Sequence, residues 1–135
     1  MRLPKKIADA MIAHAKAGYP NEACGILSGP LSGADTVSDF FPMRNMDGSS
    51  ISYFMDPKEQ LNVFKQMREK KLQMAGVFHS HVASPAFPSQ KDVRLAFYSE
   101  VSYLIVSLED LDRPVLKSFK IQDERVTEEM IEIIS

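Results

Sequence analysis

Hydrophobic positions recur every three or four residues over 4–17, where Ile7, Met11, Ile12 and Ala15 gather on one side, and this spacing predicts a first helix. Pro4 suits its opening, Gly18 its close, and His14 falls at the flank of the apolar face. The pattern then shortens. Residues 22–28, EACGILS, are an apolar run bounded by Pro20-Asn21 and Gly29-Pro30, which predicts a buried strand. Residues 35–42 predict a second strand, paired with the first across a Ser32-Gly33 turn. Residues 43–50 contain Asp47-Gly48 and read as a loop, followed by an extended stretch over 51–55.

A second helix starts at 56: Asp56 caps, Pro57 takes the first helical position, and Glu59 reaches back toward the cap. Leu61, Phe64 and Met67 then oppose Asn62, Gln66 and Glu69. Residues 74–81 predict a strand and 82–88 a loop, since Pro85 and Pro88 both resist regular structure. A third helix is expected over 89–99, then a hairpin of 102–108 and 115–121. The tail, 125–135, fits a strand or a turn of helix, and strand is the preferred reading. Central strands with three helices imply a layered α/β (α+β) domain with a mixed sheet.

Length and composition narrow the class. At 135 residues the expectation is one domain, 1–135, and 44% hydrophobic with 25% charged residues can bury a core without disulfides. Sixteen Lys+Arg against eighteen Asp+Glu, interspersed along the chain, argue against a nucleic acid held by a basic field. The opening MRLPKKIADA lacks the apolar region of a secretory signal, and the run VSYLIVSL at 101–108 is too short to span a bilayer. A cytoplasmic protein without membrane partners is therefore expected. Cys24 has no partner for an internal disulfide, which also excludes zinc motifs built on paired cysteines. It reads as a small buried hydrophobe, and the methionines as core filler.

The chemistry concentrates in FHSHVASPAFPSQKDV, residues 78–93. On a strand His79 and His81 point the same way, close enough to share one ion. Catalytic zinc commonly takes three protein ligands, and the nearest carboxylate downstream is Asp92. Ser89 and Asp92 alone make a Ser-x-x-Asp helix start, which needs only a capping role. A His-x-His pair arises by chance in roughly 4% of such sequences, but adding Ser and Asp at fixed offsets lowers this to a few in ten thousand, so the combination carries the inference. Rival histidine sites fit less well. A deaminase needs a Pro-Cys-x-x-Cys motif, a TIM barrel typically takes about 250 residues, His-Glu-x-x-His is missing, and the proline-rich loop after His81 is poor material for a cupin strand.

In His79-Ser80-His81, seven residues, Ser89, two residues and Asp92, the chain resembles the JAMM, or MPN-plus, metalloproteases. The similarity extends from Pro20-Asn21-Glu22-Ala23-Cys24-Gly25-Ile26-Leu27 through Phe54-Met55-Asp56-Pro57 to the metal motif. It implies a JAMM/MPN domain of cytidine-deaminase-like layering and one Zn2+ per chain on His79, His81 and Asp92. It also implies that Glu22 holds and deprotonates the attacking water and that Ser89 donates a hydrogen bond to the oxyanion. Read without the family, Glu22 is a solvated charge at a strand end. Val82 departs from the proline that many prokaryotic members carry there, which alters loop stiffness and leaves the ligands untouched.

The implied activity is hydrolysis of an amide at or near the C-terminus of a small ubiquitin-like or sulfur-carrier protein, releasing cysteine or a conjugated lysine. The substrate's flexible tail is expected along an exposed strand edge beside the metal. The insertions that eukaryotic members use to grip ubiquitin chains are missing. Two alternatives stand beside this reading: a non-catalytic interaction module of the same fold, and a protein like the RadC group. Two histidines and a carboxylate also form the ligand set of non-haem iron sites. The sequence leaves a homodimer open.

Overall fold

The computed structural model describes residues 1–33 and 35–135. In chain order the elements are β1 (Arg2–Pro4), α1 (Lys5–Gly18), β2 (Cys24–Pro30), β3 (Asp39–Met43), α2 (Pro57–Glu69) and β4 (Leu72–His81). They continue with α3 (Gln90–Arg94), β5 (Ser102–Ser107), β6 (Val115–Gln122), β7 (Arg125–Glu129) and β8 (Glu132–Ile134). A six-stranded sheet runs β3-β2-β4-β5-β6-β7, antiparallel throughout except for the parallel pair β4–β5, while β1 and β8 form a separate parallel pair. This is the mixed sheet expected from the alternating elements.

The sheet divides the core in two. On one face Leu27, Phe78, Leu104 and Val106 pack against Ile7, Met11 and Ala15 of α1. On the other, Cys24, Ile26, Val77, Ile105 and Phe119 pack with Val63 and Met67 of α2. The division follows from strand geometry, because successive side chains alternate faces. Phe78 therefore enters the α1 side, and its neighbours Val77 and His79 turn toward α2. Gly25 is required where β2 meets β3: a Cβ there would lie 2.5 Å from Phe40 Cε1 and 2.8 Å from the Phe41 carbonyl oxygen.

Several elements depart from the sequence reading. The β2 strand begins at Cys24, so Glu22 precedes it, because the Glu22 N–H is taken by the Ser49 carbonyl at 2.8 Å and not by a strand neighbour. In α2 the buried face is Val63 and Met67, whereas Leu61 is 69% exposed, and the Glu59 carboxylate accepts from Arg44 N at 3.2 Å instead of reaching back to Asp56. Asp56 does cap, accepting from Lys58 N. The third helix spans five residues and ends at Arg94, since Leu95, Phe97 and Tyr98 lie on the surface beyond it and supply no core face. Residues 51–55 join no sheet beyond the bridge between Asn45 and Met55. Among the methionines, Met11, Met43, Met55 and Met67 fill the core, but Met46 and Met130 are exposed. The tail is strand, divided into β7 and β8.

Candidate metal centre

The interior strand β4 ends in both histidines, side by side on the face toward α2, 2% and 5% exposed. Their Nε2 atoms lie 3.1 Å apart. Asp92, in the first turn of α3, brings Oδ2 to 3.1 Å from His79 Nε2 and 3.0 Å from His81 Nε2. The helix start that sets Asp92 is a full capping box: Ser89 Oγ accepts from Asp92 N, and Asp92 Oδ2 accepts from Ser89 N at 2.8 Å. Among the described residues this is the one cluster of three such donors.

His81 Nδ1 lies 2.9 Å from the Pro85 carbonyl, which can only accept, so the neutral ring carries its proton on Nδ1 and turns a lone pair at Nε2 toward Asp92. Lone pairs and a carboxylate oxygen meeting at this distance repel one another unless a proton or a cation lies between them. Four ligand atoms around an ion at 2.0–2.1 Å stand about 3.3 Å from each other, so the observed triangle is close to that of three tetrahedral ligands. The residues fit a divalent metal ion.

Burial draws the His79 imidazole below its ordinary value, against the pull of Asp92. For His81 burial works in the same sense but is outweighed by Asp92 and the Pro85 carbonyl, and its value rises. Burial would also raise Asp92, yet the two imidazoles, where protonated at Nε2, donate to it and hold it well below the carboxylate range. Glu22 moves the other way. Burial pushes its carboxyl from 4.5 to about 7, with Asp92 reinforcing and His81 opposing.

Glu22 is 7% exposed and not the solvated strand-end charge that its sequence context suggests. Its carbonyl accepts from Asn45 Nδ2 at 2.9 Å, and the next residue is pinned to the histidine strand. Ala23 N donates to Ser80 Oγ at 2.8 Å, while Ser80 N donates to the Ala23 carbonyl at 2.9 Å. Ser80, between the two histidines and fully buried, thus faces away from them and ties down the chain that carries Glu22. Cys24 is buried, as the sequence suggests, and its thiol is pushed up to about 12, chiefly by burial.

Two residues that sequence reasoning missed complete the surroundings. The Tyr53 ring stacks on His79, and Asn45 uses its side chain to join the segments around Glu22 and Tyr53. The Asn45-to-Gly48 turn was readable as a loop, but nothing local marks a long-range role for the asparagine. Beside the centre runs an apolar groove of about 230 Å³, floored by Ile26, Val77 and Tyr103 and walled by Phe54, Phe64 and Phe97. Tyr53 and Leu95 border both the groove and the crevice at Asp92. The free edges of the six-stranded sheet are β3 and β7, and β2 lies between β3 and the histidine strand, so among the described residues no edge of this sheet adjoins the histidines. The segment around Ile51, where the chain bends, borders the crevice at Asp92.

A mixed sheet between helices, with two histidines at the end of an interior strand and a carboxylate on the crossover that follows, defines the JAB/MPN class. The model of prokaryotic homologs of the JAB domain matches residues 4–122, and the chain belongs to that family. It is 39% identical to the CysO-cysteine peptidase of Mycobacterium tuberculosis, over 95% of this chain and 87% of the relative. It is 35% identical to a desampylase of Pyrococcus furiosus, over 64% of this chain and 59% of that protein. The solution structure of protein DSY2949 from Desulfitobacterium hafniense superposes with a TM-score of 0.89 at 47% identity, covering 98% of this chain and 92% of that one. No helix among the described residues is long and apolar enough to cross a membrane.

Proposed function

We propose that residues 1–135 form one JAMM-type zinc peptidase domain that hydrolyses the amide joining a small ubiquitin-like or sulfur-carrier protein, at or near its C-terminus, to cysteine or to a lysine side chain. The observation that carries this reading is the meeting of His79 Nε2, His81 Nε2 and Asp92 Oδ2 within 3.1 Å, near a buried glutamate whose carboxyl is raised to about 7. The named relatives, a CysO-cysteine peptidase and a desampylase, support the choice of substrate class. His79, His81 and Asp92 are the ligands, Glu22 the base and Ser89 the oxyanion donor.

Bound at these three ligands, a zinc ion supplies Lewis acidity, which polarises a carbonyl and lowers the pKa of water from about 15.7 toward 7. Glu22 carries the proton: it would accept one from water and return it to the leaving amine, which an amide nitrogen needs in order to depart. Ser89 Oγ already accepts from Asp92 N, and its own O–H remains free to donate to a developing oxyanion, an interaction worth roughly 3–4 kcal/mol in such sites. The apolar groove and the segment around Ile51, which borders the crevice at Asp92, offer the substrate protein its contacts.

The test is metal content per chain by elemental mass spectrometry on protein purified without added metal or chelator, beside Asp92→Ala, followed by hydrolysis of a sulfur-carrier protein bearing a C-terminal cysteine. Near-stoichiometric zinc that the variant loses, with cleavage by the wild type alone, is expected. Iron in place of zinc would replace the assigned ion, and no metal in either protein after zinc is supplied would overturn the reading.

A further inference from the structure

The two histidines are aimed by different means. His81 is tethered through Nδ1 to the Pro85 carbonyl, but His79 Nδ1 is buried and meets no hydrogen-bond partner among the described residues. A metal-binding imidazole ordinarily has its second nitrogen held by a carboxylate, a carbonyl or water, and that bond fixes the plane of the ring. Here the neighbours are apolar. His79 lies in register between Cys24 on β2 and Ile105 on β5, and the Tyr53 ring lies against it with centroids 4.7 Å apart and planes inclined by 22°. His81 meets it only edge-on, at 4.9 Å and 61°.

Tyr53 is itself fixed. The residues on either side of it are bracketed by one side chain, because Asn45 Nδ2 donates to the Ser52 carbonyl at 3.0 Å and Asn45 Oδ1 accepts from Phe54 N at 3.0 Å. The ring therefore presents a flat surface of set orientation to an imidazole that lacks a polar tether. Stacked aromatic pairs prefer such near-parallel geometry, and a planar neighbour restrains rotation about the Cβ–Cγ bond in a way that a flexible aliphatic chain does not.

We infer that Tyr53 is the positioning residue for His79, its ring replacing the usual hydrogen bond and keeping Nε2 turned toward His81 Nε2 and Asp92 Oδ2. The inference rests on the metal reading above. Its requirement is a flat ring, and the phenol hydroxyl plays no part.

The experiment is a zinc titration of wild type, Tyr53→Phe and Tyr53→Leu in competition with a chromophoric chelator, with thermal melting of each zinc-free protein alongside. Tyr53→Phe should bind zinc within about threefold of wild type, whereas Tyr53→Leu should bind some 10–100-fold more weakly, the loss typical of a removed orienting partner. Nitrogen-15 imidazole spectra of the zinc-free proteins should show a single His79 environment in wild type and Tyr53→Phe and an averaged one in Tyr53→Leu. If Tyr53→Leu does not fold, Tyr53→Met takes its place. Wild-type affinity in the aliphatic variant, or an equal loss in Tyr53→Phe, would overturn the assignment. A folded wild type that takes up no zinc overturns the metal reading itself, and the two failures are thereby told apart.

Discussion

The oxygen with which Asp92 closes the cap on Ser89 is the oxygen it turns toward both histidines: Oδ2 accepts from Ser89 N at 2.8 Å and stands 3.1 and 3.0 Å from the two Nε2 atoms. Capping and the proposed ligation therefore share one arrangement. A Ser-x-x-Asp helix start has an ordinary structural use, and in this chain that use aims the carboxylate.

Removing the Ser89 hydroxyl leaves the backbone N–H that holds Asp92 Oδ2. Ser89→Ala is therefore expected to cost about 1 kcal/mol of capping and less than about tenfold in zinc affinity. Turnover should fall further, by about 100-fold, because the oxyanion donor is lost, and Ser89→Thr should recover most of it. Chelator competition and kcat on one substrate measure the two effects. Equal losses in both would leave Ser89 with a capping role alone.

The buried Glu22 carboxyl predicts a sign that can be checked on zinc-free protein. With its value raised from 4.5 to about 7, the folded state prefers the protonated form. The stability this brings is full below about 4.5 and is lost as pH rises through about 7. Glu22→Gln, neutral at every pH, should be more stable than wild type at pH 8 by about 2 kcal/mol, with the advantage vanishing toward pH 4.5. Urea midpoints across that range decide it. In zinc-loaded protein the same variant should keep its metal and lose 100-fold or more of turnover.

Ser80 anchors the chain after Glu22 through Ala23. In Ser80→Ala the buried Ala23 N–H loses its acceptor, which should destabilise the protein by about 1–3 kcal/mol. Zinc affinity should change little, since Ser80 faces away from the ligands, and kcat should drop as Glu22 loses its fixed position. A variant with normal kcat would show that the anchor does not govern the base.

Asp123 and Glu124 both adopt positive φ, 52° and 64°, in the two-residue turn joining β6 to β7. Asn-Gly suits that conformation better than two acidic residues. Replacing the pair by Asn-Gly should raise stability by about 1 kcal/mol with turnover unchanged, read from denaturant midpoints and kcat.

Much of the fold is legible where a periodic pattern is long or a turn signal is strong. The start of α2 at Asp56-Pro57 and the hairpin of β5 and β6 follow from local chemistry. The histidine pair follows from strand alternation, and Asp92 from the search for a third donor. What the chain alone does not show is settled by contacts between distant segments. Glu22 looks solvated until the Asn45 turn and the metal strand close over it. Leu61 reads as one stripe with Phe64 and Met67, but α2 docks through Val63 and Met67 and leaves Leu61 in solvent. The apolar residues after Arg94 continue a helical pattern, but they rim the groove and leave α3 short. Tyr53 is an aromatic residue in an extended stretch, and no spacing links it to a histidine 26 positions later.

The three proposed ligands lie within one short stretch, His79 and Asp92 being 13 positions apart. Bringing the ends of so short a segment together costs little chain entropy, so a denatured molecule still offers both imidazoles and the carboxylate to an ion almost as a free peptide would. Zinc bound there would stabilise the folded protein only by the difference between its two affinities, native and denatured. The rise in melting temperature on adding zinc should accordingly be smaller than the native dissociation constant alone would give, and a heated, misfolded chain would carry its metal away with it.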